Sequence, residues 1–113
     1  MMNEETLPAG WTTEYLGNLD VEVFDGPFGS HLKTSDYVGS GIRVIRLENI
    51  GHGRFIDEKR SFISKEKYED IRRHTVLPGD IVFSSFVSEF IRSALVPPHI
   101  PFAVNKADCF GIR

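Results

Sequence analysis

A succession of short apolar or alternating segments, each bounded by turn-forming residues, constrains the fold more than any other feature of this sequence. Glycine, proline, asparagine and aspartate separate these segments. Only the stretch that Ser64 opens has convincing helical spacing, with Ser64 as the N-cap. The pattern predicts an α+β fold, a single domain dominated by a bent or partly closed, largely antiparallel β-sheet with a few short helices. The strand-like segments are residues 21–24, 42–47, 54–56, 61–63, 81–85, 94–96, 102–104 and 109–112.

Two segments carry more specific expectations. Residues 11–16 alternate loosely, and residues 15–19 are a candidate edge strand that runs into a short helical turn. Residues 42–47 form the strongest strand pattern, but Arg43 and Arg46 interrupt an otherwise apolar run. Because charged side chains are rarely buried, we expect that this strand is not a central one buried on both faces.

The composition is that of a water-soluble globular domain. Hydrophobic residues make up 41% of the 113 residues, and the apolar runs are too short to span a membrane. The acidic N-terminus is not a secretory signal, and one cysteine, Cys109, cannot form an internal disulfide. These features predict a cytoplasmic protein and one domain over residues 1–113, with residues 1–6 as a candidate disordered segment.

The charge distribution is more informative than the net charge of −3. All 13 lysines and arginines lie after Gly26, together with only 10 of the 16 acidic residues. The body of the chain is therefore mildly basic and its leading segment acidic. Affinity for DNA comes largely from phosphate neutralisation, so a surplus this small predicts weak DNA binding by the isolated chain. A mixed, solvated surface explains the same charges equally well.

No motif makes a case for catalysis. The sequence from Asn105 to Asp108 matches a guanine-binding element, but the phosphate loop that a GTPase also needs is absent. The sequence from Asp57 to Lys59 resembles half of a nuclease metal site and has no well-supported acidic partner. The four histidines lack zinc-site spacing, and Cys109 lacks an activating signature. We therefore expect a chain that is not an enzyme and that has no cofactor and no metal of its own.

Polar residues in loops and at strand ends are the candidates for recognition. Lysine and arginine suit phosphates and guanine edges, asparagine suits adenine edges, and hydroxyl or imidazole groups suit either kind of contact. For any one of these residues taken alone, a solvated or ion-paired surface role is the better interpretation. The candidate DNA-binding residues are Ser30, His31, Lys33, Arg43, Arg46, Asn49, Arg54, Arg92, Asn105 and Lys106.

The order of several short segments resembles a known family. Together they are similar to the target-recognition domain of type I restriction-modification specificity (S) subunits. The resemblance runs from Leu7 to at least Phe83 and depends on the shared order rather than on one motif. The segments are Leu7-Pro8-x-Gly10-Trp11, Leu16-Gly17-x-Leu19, Gly26-Pro27-Phe28-Gly29-Ser30-x-Leu32-Lys33, Tyr37-Val38-x-x-Gly41-Ile42-x-Val44-Ile45-Arg46, Glu48-Asn49-Ile50-Gly51-x-Gly53, Phe62-Ile63-Ser64-x-Glu66-Lys67-Tyr68 and Pro78-Gly79-Asp80-Ile81.

This resemblance implies sequence-specific recognition of double-stranded DNA. Specificity subunits carry two such domains, separated by long helices that bind methyltransferase (M) subunits, and each domain reads one half of a split target. Adenine methylation and ATP-driven restriction belong to the M and restriction (R) subunits. S-adenosylmethionine and Mg²⁺-ATP would therefore serve the complex and not this chain.

The chain departs from the family in holding one recognition domain without a spacer helix. Because it also stops at Arg113 within a strand-like segment, we expect a fragment of a longer specificity subunit. The segment 85–99 does not follow the family pattern, so no base contact can be carried over there. The acidic total and the abrupt ending favour an alternative, a protein-interaction module or relic fragment of such a subunit without DNA-binding activity.

Overall fold

The computed structural model describes residues 8–27, 29–84 and 92–113; the side chains of Leu16 and Ser30 are outside this description. The expected disorder of residues 1–6 therefore concerns residues outside the described part. Short 3-10 turns connect several of the strands. The described strands and helix are β1 (Val23–Asp25), β2 (Tyr37–Val38), β3 (Ile42–Ile45), β4 (Ser61–Ile63), α1 (Lys65–Ile71), β5 (Thr75–Val76), β6 (Ile81–Ser84), β7 (Ser93–Leu95), β8 (Ala103–Asn105) and β9 (Cys109–Ile112).

These strands form two sheets. The five-stranded sheet has the order β2-β4-β3-β8-β5, and the four-stranded sheet has the order β1-β9-β6-β7. Among the described strands, β3 and β8 pair in parallel and the other pairs are antiparallel. The predicted α+β class, dominated by a largely antiparallel sheet, is confirmed.

Two apolar clusters hold these elements in three layers. The first joins Ile45 and Ala103 of the five-stranded sheet to Val82 and Cys109 of the four-stranded sheet. The second lies on the other face of the five-stranded sheet and includes Ile71 of α1. Burial of each large aliphatic side chain in such a cluster contributes about 1.5 to 3 kcal/mol. The five-stranded sheet is therefore covered on both faces.

The predicted helix forms where the sequence placed it. The Ser64 side chain accepts a hydrogen bond from the backbone N–H of Lys67 at 3.1 Å and caps the first turn of α1. The helix buries Ile71, and Tyr68 packs against the same cluster. The capping interaction and the apolar face together explain why this segment is helical.

The expectation for the strand around Arg43 is wrong. The strand β3 is the middle strand of its sheet, with Val44 packed in one cluster and Ile45 in the other. Arg43 is compatible with this position because its guanidinium is paired with Asp57. A buried charge that has a nearby partner does not exclude a central strand.

Two other predicted strands are absent from the described structure. Residues 54–56 contribute only an isolated bridge between Ile50 and Phe55, because the glycines around His52 close a turn instead. Residues 15–19 form no strand, although the expected short helical turn is present at Leu16–Asn18. Within the described residues, no helix is long and apolar enough to cross a membrane.

The Pro78-Gly79-Asp80 segment, part of the family resemblance, has a clear structural role. Gly79 adopts a φ of 87°, which favours glycine. The buried Asp80 carboxylate accepts hydrogen bonds from the backbone N–H of Leu77 at 2.8 Å and from Arg113 at 2.7 and 3.1 Å. This turn therefore ties the start of β6 to the residue that follows β9.

Candidate nucleic-acid interface

The ten candidate DNA-binding residues do not form a single surface. Three have buried side chains, three line one cavity, and three lie exposed beside separate turns. Ser30 belongs to the 3-10 turn Gly29–His31, but its side chain is outside the described part of the structure.

The Arg43 side chain is buried and paired within the fold. Its side chain is only 9% exposed, and Nη2 lies 2.6 Å from Oδ1 of Asp57. The guanidinium carbon also lies 5.8 Å from the centroid of the Phe55 ring. These contacts hold the loop that follows β3 against the sheet. Since a duplex reaches only surface groups, the prediction that Arg43 contacts DNA is corrected.

Asn49 and Asn105 are corrected for the same reason. The Asn49 amide donates to the carbonyls of Ile56 at 2.9 Å and Lys59 at 2.8 Å, and its oxygen accepts from the backbone N–H of Arg46 at 3.0 Å. Asn49 therefore closes its own loop. Asn105 is fully buried in β8, and neither of its side-chain polar atoms has a hydrogen-bond partner. Neither amide is presented to an outside ligand.

Arg46, Arg92 and Lys106 line one cavity of about 320 Å³. Glu48 and Asp108 supply its acidic groups. The three basic residues come from three separate segments of the chain, next to β3, β7 and β8. Each of the three was a separate candidate in the sequence, and the fold brings them together.

The sheet explains why Arg46 and Lys106 are neighbours. In the parallel β3–β8 pair, Ile45 is opposite Asn105, and the backbone N–H of Lys106 donates to the carbonyl of Ile45 at 3.0 Å. Parallel strands end at the same edge of a sheet, so the residues that follow them lie side by side. Arg92 is placed by the β6–β7 hairpin, where its carbonyl accepts from the N–H of Ser84 at 3.0 Å.

Gly26 fixes the position of the Lys106 backbone. A Cβ atom at Gly26 would overlap the carbonyl of Lys106, so only glycine allows this close approach. Gly26 and Pro27 are both buried against this part of the structure. The Gly-Pro loop that resembles the family therefore packs directly against the backbone of Lys106.

Tyr37 is a member of this site that sequence analysis missed. Its ring centroid lies 5.1 Å from the Arg46 guanidinium carbon and 5.6 Å from Lys106 Nζ. One aromatic ring thus contacts two cations and limits where they can point. Tyr37 is in β2, two strands away from β3, and no sequence spacing signals that proximity.

The cavity presents donors and acceptors side by side. Arg46 lies 3.8 Å from Glu48 and donates weakly to Ser61 Oγ at 3.4 Å. Glu48 also lies 3.9 Å from the exposed Lys59. Among the described residues of the lining, three cations face two carboxylates, which is a surplus of one positive charge. Such a lining suits a partner that carries anionic groups together with hydrogen-bonding edges.

The remaining exposed candidates lie elsewhere. His31 is in the turn Gly29–His31, and Lys33 precedes the turn Thr34–Asp36. Arg54 belongs to the turn that the N–H of Gly51 closes on the Arg54 carbonyl at 2.9 Å. None of these three is among the described residues that line the Arg46 cavity. Across residues 8–27, 29–84 and 92–113, no three histidine, cysteine, aspartate or glutamate side chains come together as a metal site.

No protein-family model matches the chain, and a search of the curated proteins also found no match. What the chain does must therefore be inferred from its own residues and their geometry.

Proposed function

We propose that this chain recognises double-stranded DNA as the target-recognition domain of a type I restriction-modification specificity subunit. It reads one half of a bipartite target and performs no catalysis. Methylation and restriction would be supplied by M and R subunits that associate with the parent protein in the cytoplasm. This proposal combines the family resemblance with the chemistry of the described residues.

The convergence of Arg46, Arg92 and Lys106 on one cavity is the observation that carries the proposal. Arginine can donate two parallel hydrogen bonds to a guanine edge, and lysine neutralises a phosphate. Glu48 and Asp108 can accept from an amino group such as that of cytosine. The cavity therefore holds the side-chain types that duplex recognition uses, on strand ends that a sheet keeps rigid.

The charge balance sets the expected strength of binding. A surplus of one positive charge at the cavity neutralises little of the phosphate backbone. We expect weak binding by the chain alone and strong binding only within a complex that adds a second recognition domain and further phosphate contacts. Lys33, exposed outside the cavity, is a candidate for one such phosphate contact.

The decisive experiment compares the DNA methylation pattern of the source cell with the gene intact and deleted. Loss of one bipartite adenine-methylation motif on deletion would establish the recognition role. Replacement of this domain alone should then change one half of that motif and leave the other half unchanged. An unchanged pattern while the chain and its methyltransferase are expressed would contradict the proposal and favour an interaction module or relic fragment.

A binding assay on the intact complex tests the cavity itself. Lys106→Ala should weaken binding to all duplexes and lower the slope of log affinity against log salt by about one. Lys65→Ala is the matched control, because Lys65 is exposed on α1 and is not part of the cavity lining. Equal effects of the two substitutions would mean that the cavity is not the DNA-facing surface.

A further inference from the structure

The face of the four-stranded sheet that points away from the five-stranded sheet is largely apolar. Side chains alternate along each strand, so the buried Val82, Ala94 and Cys109 face the core while their neighbours face outward. The strand register places the outward side chains in two rows that cross all four strands. The first row is Val23, Ile112, Ile81 and Leu95, and the second row is Asp25, Phe110, Phe83 and Ser93.

Much of this outer face is exposed. Leu95 is 62% exposed, Val23 48% and Ile81 39%. In the second row, the rings of Phe83 and Phe110 stack with their centroids 5.5 Å apart. Single exposed apolar side chains are ordinary, but a contiguous apolar patch usually marks an interaction surface. The inner face of the same sheet already packs against another sheet through the first apolar cluster, so sheet-on-sheet contact suits this framework.

The β1 edge of this sheet is acidic. The Glu22 and Asp25 side chains are 66% and 61% exposed, and no lysine or arginine precedes them in the chain. Arg113 lies 4.0 Å from Glu22, but its guanidinium is bound more closely to Asp80, at 2.7 Å. The exposed charge along this edge is therefore negative.

The opposite edge of the sheet, at β7, carries exposed cations. Arg92 directly precedes β7 and is exposed. Arg54 is exposed in the neighbouring turn, whose Gly53 N–H donates to the Ser93 carbonyl at 2.8 Å. The apolar rows thus run from an acidic edge to a basic edge, and such a face is complementary to its own copy when one of the two is turned around.

We propose that this outer face binds the same face of a second copy of the chain. A two-fold axis parallel to the strands, between β9 and β6, places each row on the same row in reverse order. Ile112 then meets Ile81 of the second copy, and the acidic edge of each copy lies over the basic edge of the other. A single helix covers only a stripe of this flat surface, whereas a second sheet at about 10 Å covers both rows.

The size of the face determines how strong this association can be. With its rim, the face offers about 500 Å² per copy, and about 1,000 Å² in total is near the lower limit for a specific interface. We therefore expect a reversible dimer with a Kd of about 10 to 100 μM. None of the six apolar residues in the two rows lines the Arg46 cavity, so the dimer does not rest on the DNA-binding proposal.

The test is sedimentation equilibrium of the 113-residue chain at concentrations that bracket this Kd, from about 5 μM to about 1 mM. The wild type should pass from monomer to dimer over this range. Leu95→Lys places a charge within the contact and should raise the Kd at least about tenfold. Val38→Lys is the matched control, because Val38 is a similarly exposed strand residue on the other sheet and should leave the Kd unchanged. Circular dichroism of both variants checks that they are folded.

A cross-link tests the register without a change of charge. Val23 and Leu95 lie on the two edge strands of one sheet, three strand spacings or about 14 Å apart, which is too far for a disulfide within one copy. In the two-fold dimer, Val23 of one copy lies over Leu95 of the other. The double variant Val23→Cys, Leu95→Cys should therefore form disulfide-linked dimers under mild oxidation, and Leu95→Cys alone should not. Cys109 is buried and should take no part.

Three results would overturn the proposal. A wild-type chain that stays monomeric up to about 1 mM would leave the face to a helix or to another protein. A dimer that Leu95→Lys does not weaken, or that Val38→Lys weakens equally, would use another surface. Cross-linking of Leu95→Cys alone, as efficient as that of the double variant, would exclude the two-fold arrangement. No DNA is present in these assays, so their failure leaves the DNA-binding proposal unaffected.

Discussion

Arg43 lies within β3 and Arg46 directly follows that strand, but their side chains have opposite environments. Arg43 is 9% exposed and paired with Asp57, whereas the Arg46 side chain is 36% exposed and lines the basic cavity. Arg43 is within β3 between two sheets, and Arg46 is the first residue after that strand. The difference teaches that the position of an arginine relative to the end of a strand decides whether it stabilises the fold or is available to a ligand.

The largest expected effect comes from Arg43→Ala. The substitution leaves Asp57 without its closest cation and removes the guanidinium from the Phe55 ring. Removal of one partner of a buried pair is strongly destabilising, and partial solvent access at Asp57 reduces the cost. We expect the free energy of unfolding to fall by about 3 kcal/mol, as measured by chemical denaturation. A loss below about 0.5 kcal/mol, the range typical of surface substitutions, would show that the buried pair does not stabilise the fold.

Asn49→Ala tests the hydrogen bonds that join the backbone of Arg46 to the loop carrying Asp57, the partner of Arg43. Asn49 accepts from the backbone of Arg46 and donates to two carbonyls of the loop that also carries Asp57. The substitution removes three hydrogen bonds and leaves buried backbone groups without partners, so we expect a loss of about 2 kcal/mol in the free energy of unfolding. Asn49→Asp is the matched comparison, because it keeps the acceptor for Arg46 and removes only the donors. An Asn49→Asp variant as stable as the wild type would mean that the two donated hydrogen bonds are not needed.

Arg46→Ala should change stability little and DNA recognition more, whereas Arg43→Ala should mainly lower stability. The side chain is partly exposed and its ion pair with Glu48 is long, so the free energy of unfolding should change by less than about 0.5 kcal/mol. Discrimination between the target duplex and a duplex with one altered base pair should fall by about tenfold if Arg46 reads a base. Both quantities are measurable on the intact complex. A stability loss as large as that of Arg43→Ala would assign Arg46 to the fold instead.

The smallest effect is a dependence of stability on pH that Asp57 confers. Burial alone raises the pKa of Asp57, but hydrogen bonds from Arg43 and His99 outweigh burial, and the pKa is lowered. Because the pKa is lower in the folded state, the stabilisation is present at neutral pH and is lost as the pH falls through the folded-state value, below about pH 4. The stability difference between wild type and Asp57→Asn should therefore narrow as the pH falls below about pH 4. A difference that stays constant at acid pH would contradict this role.

Local sequence signals predicted the parts of the fold that depend on local chemistry. The Ser64 cap, the β9 segment and the short β4 segment each involve residues close together in the chain. The central position of β3 was not predictable, because the pairing of Arg43 with Asp57 depends on a loop that returns over the sheet. The strand expected at residues 54–56 failed because the glycines on either side of His52 close a turn instead.

The candidate site was predictable only in part. Residue chemistry selected Arg46, Arg92 and Lys106 as candidates, and the fold brings all three to one cavity, but it gave the buried Asn49 and Asn105 the same weight. Only burial separates the two groups. Tyr37 carries no signal of its own, since its contact with both cations follows from the strand order of the sheet.

The parallel pairing of β3 with β8 has a consequence for how this chain can change. Both strands end at one sheet edge, so the loops after Ile45 and Asn105 can be exchanged as grafts while the hydrogen-bonded ladder beneath them is retained. A library that varies the residues after both strands together would sample new surfaces on an unaltered framework. Gly26 should be held constant in such a library, because any side chain there would collide with the backbone of Lys106, where the second loop begins.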